Sequence, residues 1–86
     1  MIPMYVYLLQ SINYPEKRYI GSTENIKQRL SEHNSGKSKY TKKYKPWKLV
    51  AAIWFEDEKK ALDFEKYLKI GSGHAFAKRH FWGAVS

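Results

Sequence analysis

Two unbroken apolar runs constrain the architecture most: Met4-Tyr5-Val6-Tyr7-Leu8-Leu9-Gln10 and Leu49-Val50-Ala51-Ala52-Ile53-Trp54-Phe55. Both are rich in aromatic and β-branched side chains and too short to stand as helices, which predicts two buried strands, the second central in its sheet. Lys17 to Ser22 returns antiparallel to the first strand, after a turn over Ser11 to Glu16 that contains Asn13 and Pro15. Gly21 lets this strand approach a neighbour without a Cβ clash, and the pairing makes Tyr7 and Tyr19 neighbours.

Asn25 caps a first helix, with Gln28 three residues on in a variant of the capping box; it runs to about Asn34 before Ser35-Gly36 stops it. Glu56-Asp57-Glu58 places acid where the dipole of a second helix favours it. That helix runs to about Ile70, with Gly71 as its stop. Ser72-Gly73 opens a short third helix through Arg79, and His80-Phe81-Trp82 packs the tail. The order is ββαβαα, an α/β chain of the α+β type. Its 86 residues form a single domain, 1–86, with one modest core.

Sixteen Lys and Arg against eight Asp and Glu, a formal charge of +8, favour polyanionic partners without choosing among them. Cysteine is absent, which excludes disulfides and thiolate metal sites, and 43% hydrophobic content excludes a disordered basic tail. With no signal-peptide pattern and no long apolar run, the expected setting is the cytoplasm, away from membranes. Lys37, Lys39, Lys42, Lys43 and Lys45, interleaved with Tyr40 and Tyr44 and closed by Pro46, read as an exposed basic loop. A solvated charge run is one reading. A surface that tracks phosphates while Tyr40, Tyr44 and Trp47 stack on bases is the other, and the one we adopt.

In the first helix Ile26, Arg29, Leu30 and His33 share an arc of roughly 100°, so two of four core-facing positions are polar. Burying an unpaired guanidinium is costly, so Arg29 must meet a carboxylate, a set of carbonyls or a phosphate. The second helix repeats the anomaly: Glu65 falls inside the arc of Ala61, Leu62, Phe64 and Leu68. It is either a buried ion pair with Arg29 or a divalent-cation ligand. Asp63, Glu32 and the acids at 56 to 58 read as solvated or helix-end charges. Tyr5, Tyr7 and Tyr19 are core aromatics or chemistry. A phenol with a pKa near 10 needs roughly 4 kcal/mol of help to act as a base at neutral pH, which an adjacent Arg or a metal-bound water supplies, so Tyr7 or Tyr19 serves if Arg29 is close. His74 and His80 lack zinc-ligand spacing and read as surface or capping residues.

These residues resemble the GIY-YIG endonuclease superfamily, in its small single-domain branch. Tyr5-Val6-Tyr7 stands where the family has Gly-Ile-Tyr, and Tyr19-Ile20-Gly21 matches the second signature. Asn25 to Leu30 with His33 resembles the following helix, and Ala61 to Lys69 around Glu65 resembles the metal-binding helix. The resemblance implies a three-stranded antiparallel sheet flanked by helices. It implies one Mg²⁺ or Mn²⁺ on Glu65 at the scissile phosphate, with Arg29 stabilising the charge that develops on phosphorus. Tyr7, Tyr19 and His33 position or deprotonate the attacking water, the base among them left open. Tyr5 in place of the first glycine narrows the site. The asparagine many members place after the metal helix has no clear counterpart, and His80 is either an accessory polar group near the metal or tail packing.

The expected activity is metal-dependent, structure-selective hydrolysis of DNA phosphodiesters, with the choice between DNA and RNA left open by the sequence. The alternative is a binding module that has lost turnover and delivers a partner nuclease. A protein-interaction domain using exposed aromatics is a third reading. A monomer or weak dimer is expected, since no heptad or unpaired apolar helix marks a dimer face.

Overall fold

The computed structural model of the chain describes residues 2–82. Met1 and 83–86, which belong to the expected domain 1–86, lie outside the described residues. Strands β1 (Met4–Ser11), β2 (Arg18–Thr23) and β3 (Trp47–Phe55) form one antiparallel sheet of order β2-β1-β3. Helices α1 (Ile26–Ser35) and α2 (Lys39–Lys42) lie between β2 and β3, and α3 (Glu58–Lys69) and α4 (Gly71–His80) follow. The observed order is therefore ββααβαα. The expected α+β sheet is present, with one helical turn added.

The centre of the sheet is β1, not the Leu49 to Phe55 run. Side chains alternate across a strand, and both faces of β1 are covered: Val6 and Leu8 face α3 and α4, while Tyr7 and Leu9 face α1. In β3 Trp47 joins the core on the α1 side and Val50, Ala51, Ile53 and Phe55 pack against it on the other, while Trp54 remains 56% exposed. A continuous apolar run reads the same on a strand covered on both faces and on one covered on one face, so composition did not distinguish centre from edge.

Local signals set the helix ends. Asn25 Oδ1 accepts the Gln28 N–H at 3.0 Å, and Gly36 at φ 88° ends α1 in the left-handed conformation that favours glycine. Asp57 caps α3 through the Lys59 N–H at 2.8 Å. Ile70 caps the end of α3, and Gly71, expected from sequence as the stop, is the first residue of α4. Leu62, placed on the buried arc from sequence, is instead 41% exposed, because Ala61, Phe64 and Leu68 already fill the contact with the sheet.

The expected exposed loop over 36–47 is more structured than a charge count suggests. Thr41 and Trp47 are buried. The Trp47 indole N–H donates to the Thr41 carbonyl at 2.7 Å, and Asn34 accepts the Trp47 N–H at 2.6 Å while donating to the Trp47 carbonyl at 3.1 Å. These bonds tie α1, α2 and the start of β3 into one unit. They also remove Trp47 from any base-stacking surface, a correction to the sequence reading.

Candidate active site

Tyr7 of β1, Tyr19 of β2 and His33 of α1 meet on the α1 face of the sheet. The Tyr7 hydroxyl and His33 Nε2 share a hydrogen bond of 3.0 Å, and His33 Nδ1 and Thr41 Oγ1 share another of 2.7 Å. The Tyr19 ring lies 4.8 Å from the imidazole and 6.1 Å from the Tyr7 ring, centroid to centroid. Tyr7, His33 and Thr41 are all buried, so this Tyr-His-Thr chain is a satisfied polar network inside the core.

Gly21 makes the arrangement possible. It pairs with Tyr7 across β1 and β2, and a Cβ at position 21 would sit 2.5 Å from the Tyr7 hydroxyl oxygen and 2.7 Å from Cζ. The Tyr7 ring thus lies across the strand where any other residue would put a side chain. The requirement is close approach of a neighbour, not an unusual backbone angle.

Environment sets the ionisation of the network. Burial pushes the Tyr7 phenol up to about 12, with the Tyr19 phenol adding to the effect and Arg29 opposing it. Burial, and secondarily the Arg29 cation, hold His33 below its ordinary value, so its imidazole is neutral at pH 7.

Arg29 finds a different partner from the one expected. Its Nη1 lies 2.9 Å from Glu32 Oε1, one turn along α1, and the two groups hold each other charged. Glu32, read from sequence as a solvated charge, is therefore the carboxylate that orients the guanidinium. The Arg29 side chain is 37% exposed, so it lies at the rim of the site with donors left for a ligand.

Glu65 does not pair with Arg29. Its carboxylate accepts a short hydrogen bond from the Ser22 hydroxyl and an ion pair of 2.7 Å from Lys69. The glutamate is half-buried at a rim, where Ser22 and Lys69 satisfy its two oxygens without an arginine. Ser22 follows Gly21 on β2, so strand alternation turns it to the face opposite Tyr7, where α3 packs. The candidate residues thus form two groups on either side of β2, linked by the Gly21-Ser22 backbone.

Lys37, Lys39, Lys42, Lys43 and Lys45 are exposed, Tyr40 is exposed and Tyr44 is half-buried, on the Tyr19 side of the molecule. His80 is exposed on α4 with its ring 4.6 Å from that of Phe76 one turn earlier, and it makes no hydrogen bond to Glu65 among the described residues. Four functional candidates escaped the sequence reading: Ser22, Glu32, Thr41 and Lys69. Strand alternation after Gly21 and the i,i+3 and i,i+4 spacings from Arg29 and Glu65 could have suggested three of them. Thr41 carried no local signal beyond being uncharged inside a basic run.

The model of the GIY-YIG catalytic domain matches residues 3–76 of this sequence. The chain belongs to the GIY-YIG nuclease family. The structure-specific endonuclease subunit SLX1 of Debaryomyces hansenii is 38% identical over 82 residues, 87% of this chain but 22% of that protein. The UPF0213 protein of Lactococcus lactis subsp. cremoris is 38% identical over 66 residues, 76% of this chain and 65% of its own length. The solution structure of a UPF0213 protein from Bacillus halodurans superposes with a TM-score of 0.54 at 28% identity, covering 92% of this chain and 86% of that one. The chain spans roughly a fifth of the Debaryomyces subunit and about two thirds of the Lactococcus protein. Within the GIY-YIG frame, Tyr7 and Tyr19 are the tyrosines of the two signatures, and the glycine of the second is the residue that makes room for the tyrosine of the first.

Family membership implies a divalent cation. Among the described residues no cluster of three His, Cys, Asp or Glu forms a metal cage. A single ionised carboxylate still suits Mg²⁺ or Mn²⁺ when substrate phosphate and water complete the shell, as is usual for Mg²⁺ at phosphate sites. Glu65 fits that role: it is a rim carboxylate whose second oxygen faces a displaceable surface ammonium.

Proposed function

We propose that this chain is a divalent-metal-dependent DNA endonuclease that hydrolyses phosphodiester bonds at the rim of β2 and selects substrate by shape rather than by base sequence. One observation carries the chemistry: a hydroxyl whose proton has an adjacent neutral acceptor, Tyr7 against His33 at 3.0 Å. With a phenol pKa of about 12, forming free phenolate at pH 7 costs roughly 7 kcal/mol, too much for Tyr7 to work as a stored base. The proton instead passes to His33 Nε2 as the Tyr7 oxygen takes one from the attacking water. Thr41 Oγ1 lies 2.7 Å from the far nitrogen, and in the tautomer that carries the proton on Nδ1 this nitrogen donates to the hydroxyl and leaves Nε2 free to accept.

Arg29, oriented by Glu32 and reaching the rim, faces the charge that develops on the phosphoryl oxygens. Tyr19 walls the imidazole and keeps bulk water off it. Glu65, oriented by Ser22, is the residue that would hold Mg²⁺ or Mn²⁺ after Lys69 moves aside. The ion, when bound, supplies Lewis-acid polarisation of the scissile phosphate. Shape selection is supported by the similarity to structure-specific endonuclease subunits.

The test is cleavage of labelled duplex, single-stranded, forked and four-way-junction DNA in Mg²⁺ or Mn²⁺, with Glu65→Gln and Arg29→Ala alongside. Cleavage that collapses in both variants supports the reading. Binding without cleavage in every lane, with both metals, would favour the delivery module.

A further inference from the structure

Four tyrosine rings from separate parts of the chain stand in a row that begins at the site. Tyr19 of β2 lies 6.2 Å from Tyr40 of α2, Tyr40 lies 6.0 Å from Tyr44, and Tyr44 lies 5.5 Å from Tyr14 in the β1–β2 turn. The outer part of the row is held in place. Buried Ser11 donates its hydroxyl to the Tyr44 carbonyl at 2.7 Å and accepts the Tyr14 N–H at 3.0 Å, so one side chain joins the two loops that carry these rings.

The row is not built as core. Tyr40 is 54% exposed and Tyr14 49%, whereas a ring used only for packing would be covered. Lys17 and Lys43 place their ammonium groups 5.1 and 5.9 Å from the Tyr44 ring, and Lys39 and Lys42 lie on α2 beside Tyr40. Among the described residues no carboxylate pairs with these four lysines. Aromatic faces flanked by unpaired cations are what a single strand of nucleic acid engages, one base per ring with phosphates on the lysines.

We propose that Tyr40, Tyr44 and Tyr14 form a stacking track that leads an unpaired DNA strand into the site. The substrate would then carry several unpaired nucleotides beside the scissile phosphate. Free base faces are what discriminates. Bases in a duplex are stacked on one another and offer no open face, whereas an unpaired strand can turn each base to a ring of a row whose members are tilted 32° to 75° to one another and set 5.5 to 6.2 Å apart. The inference rests on the nuclease reading only for where the strand ends, since the track binds whether or not cleavage follows.

The experiment is fluorescence anisotropy with the full chain in EDTA, using oligothymidylate of about a dozen nucleotides and a blunt duplex of the same length. Tyr40→Ala and Tyr14→Ala are each expected to weaken oligothymidylate binding about tenfold or more and to leave duplex binding unchanged, with Tyr40→Phe and Tyr14→Phe behaving as wild type. Exposure of both side chains makes unfolding an improbable cause of any loss, and a far-ultraviolet circular dichroism spectrum checks it. No loss on the single strand, or equal loss on strand and duplex, overturns the track. Selective single-strand loss with no metal-dependent cleavage by the wild type would keep the track and remove the nuclease reading. Cleavage that requires Glu65 with single-strand affinity insensitive to the tyrosines would do the reverse.

Discussion

The two faces of β2 solve opposite problems with adjacent residues. On the Tyr7 face, buried hydroxyl, imidazole and threonine satisfy one another, and the site is complete before any ligand arrives. On the Ser22 face, one carboxylate stands at the rim against a lysine that is itself half exposed. In the proposed reading the first arrangement fixes geometry for proton movement, which tolerates little displacement, and the second keeps a charge available for exchange. Positioning is then buried, and ligand capture falls to a rim pair that a ligand can replace.

The sharpest test of that division is Glu65→Gln. It removes the rim carboxylate's charge but little packing, so cleavage should fall about a hundred- to thousandfold while the melting temperature hardly moves, as followed by gel assay and calorimetry. A large loss of stability would mean that the Ser22 face is as structural as the other.

His33→Ala should do both kinds of damage. It leaves the Tyr7 hydroxyl and Thr41 without a buried partner, and unfolding free energy measured in urea should drop by about 2–4 kcal/mol along with activity. Tyr7→Phe separates the two effects: cleavage is lost as in His33→Ala, with a stability change of only about 1 kcal/mol. Retained cleavage in Tyr7→Phe would remove Tyr7 from the proton path and leave His33 as the direct acceptor.

Gly21→Ala tests the link between the faces. The added Cβ meets the buried Tyr7 ring, so the ring must shift at a cost of about 1–3 kcal/mol, and cleavage should drop because the hydroxyl leaves its place beside His33. Binding of oligothymidylate, which uses the tyrosine track, should persist. Loss of both together would show that the strand itself had been displaced.

The last effects come from pH. His33 titrates below 6.5 in the folded protein, so its contribution to stability is present above 6.5 and is lost as pH falls through the depressed value. The acid limb of the cleavage rate should lie below 6.5 for the same reason. Tyr7 titrates near 10 when unfolded and about 12 when folded, so its contribution is present below pH 10 and lost between 10 and 12. Losing that contribution costs wild type about 2.7 kcal/mol, more than the difference of about 1 kcal/mol from Tyr7→Phe, so thermal melts of the two proteins should cross within that window.

Much of this was readable along the chain because it depends on near neighbours. Asn25 and Gly36 bound α1 through contacts within a turn, and the helical arcs of Arg29, His33 and Glu65 follow from periodicity alone. The antiparallel return of β2 beside β1 needed only a turn and a glycine, and it brought Tyr7 and Tyr19 together as expected. These features, with the two signatures and the basic segment, are what the sequence by itself determined. Tertiary structure decided which strand lies in the middle, that Trp47 is core, that Arg29 is held by Glu32 rather than Glu65, and that Thr41 completes the histidine's bonding. Each of these depends on which atoms occupy the space between elements distant in sequence, and on whether a polar group there meets a partner or water. Residue type and spacing bound those outcomes, and packing selects among them.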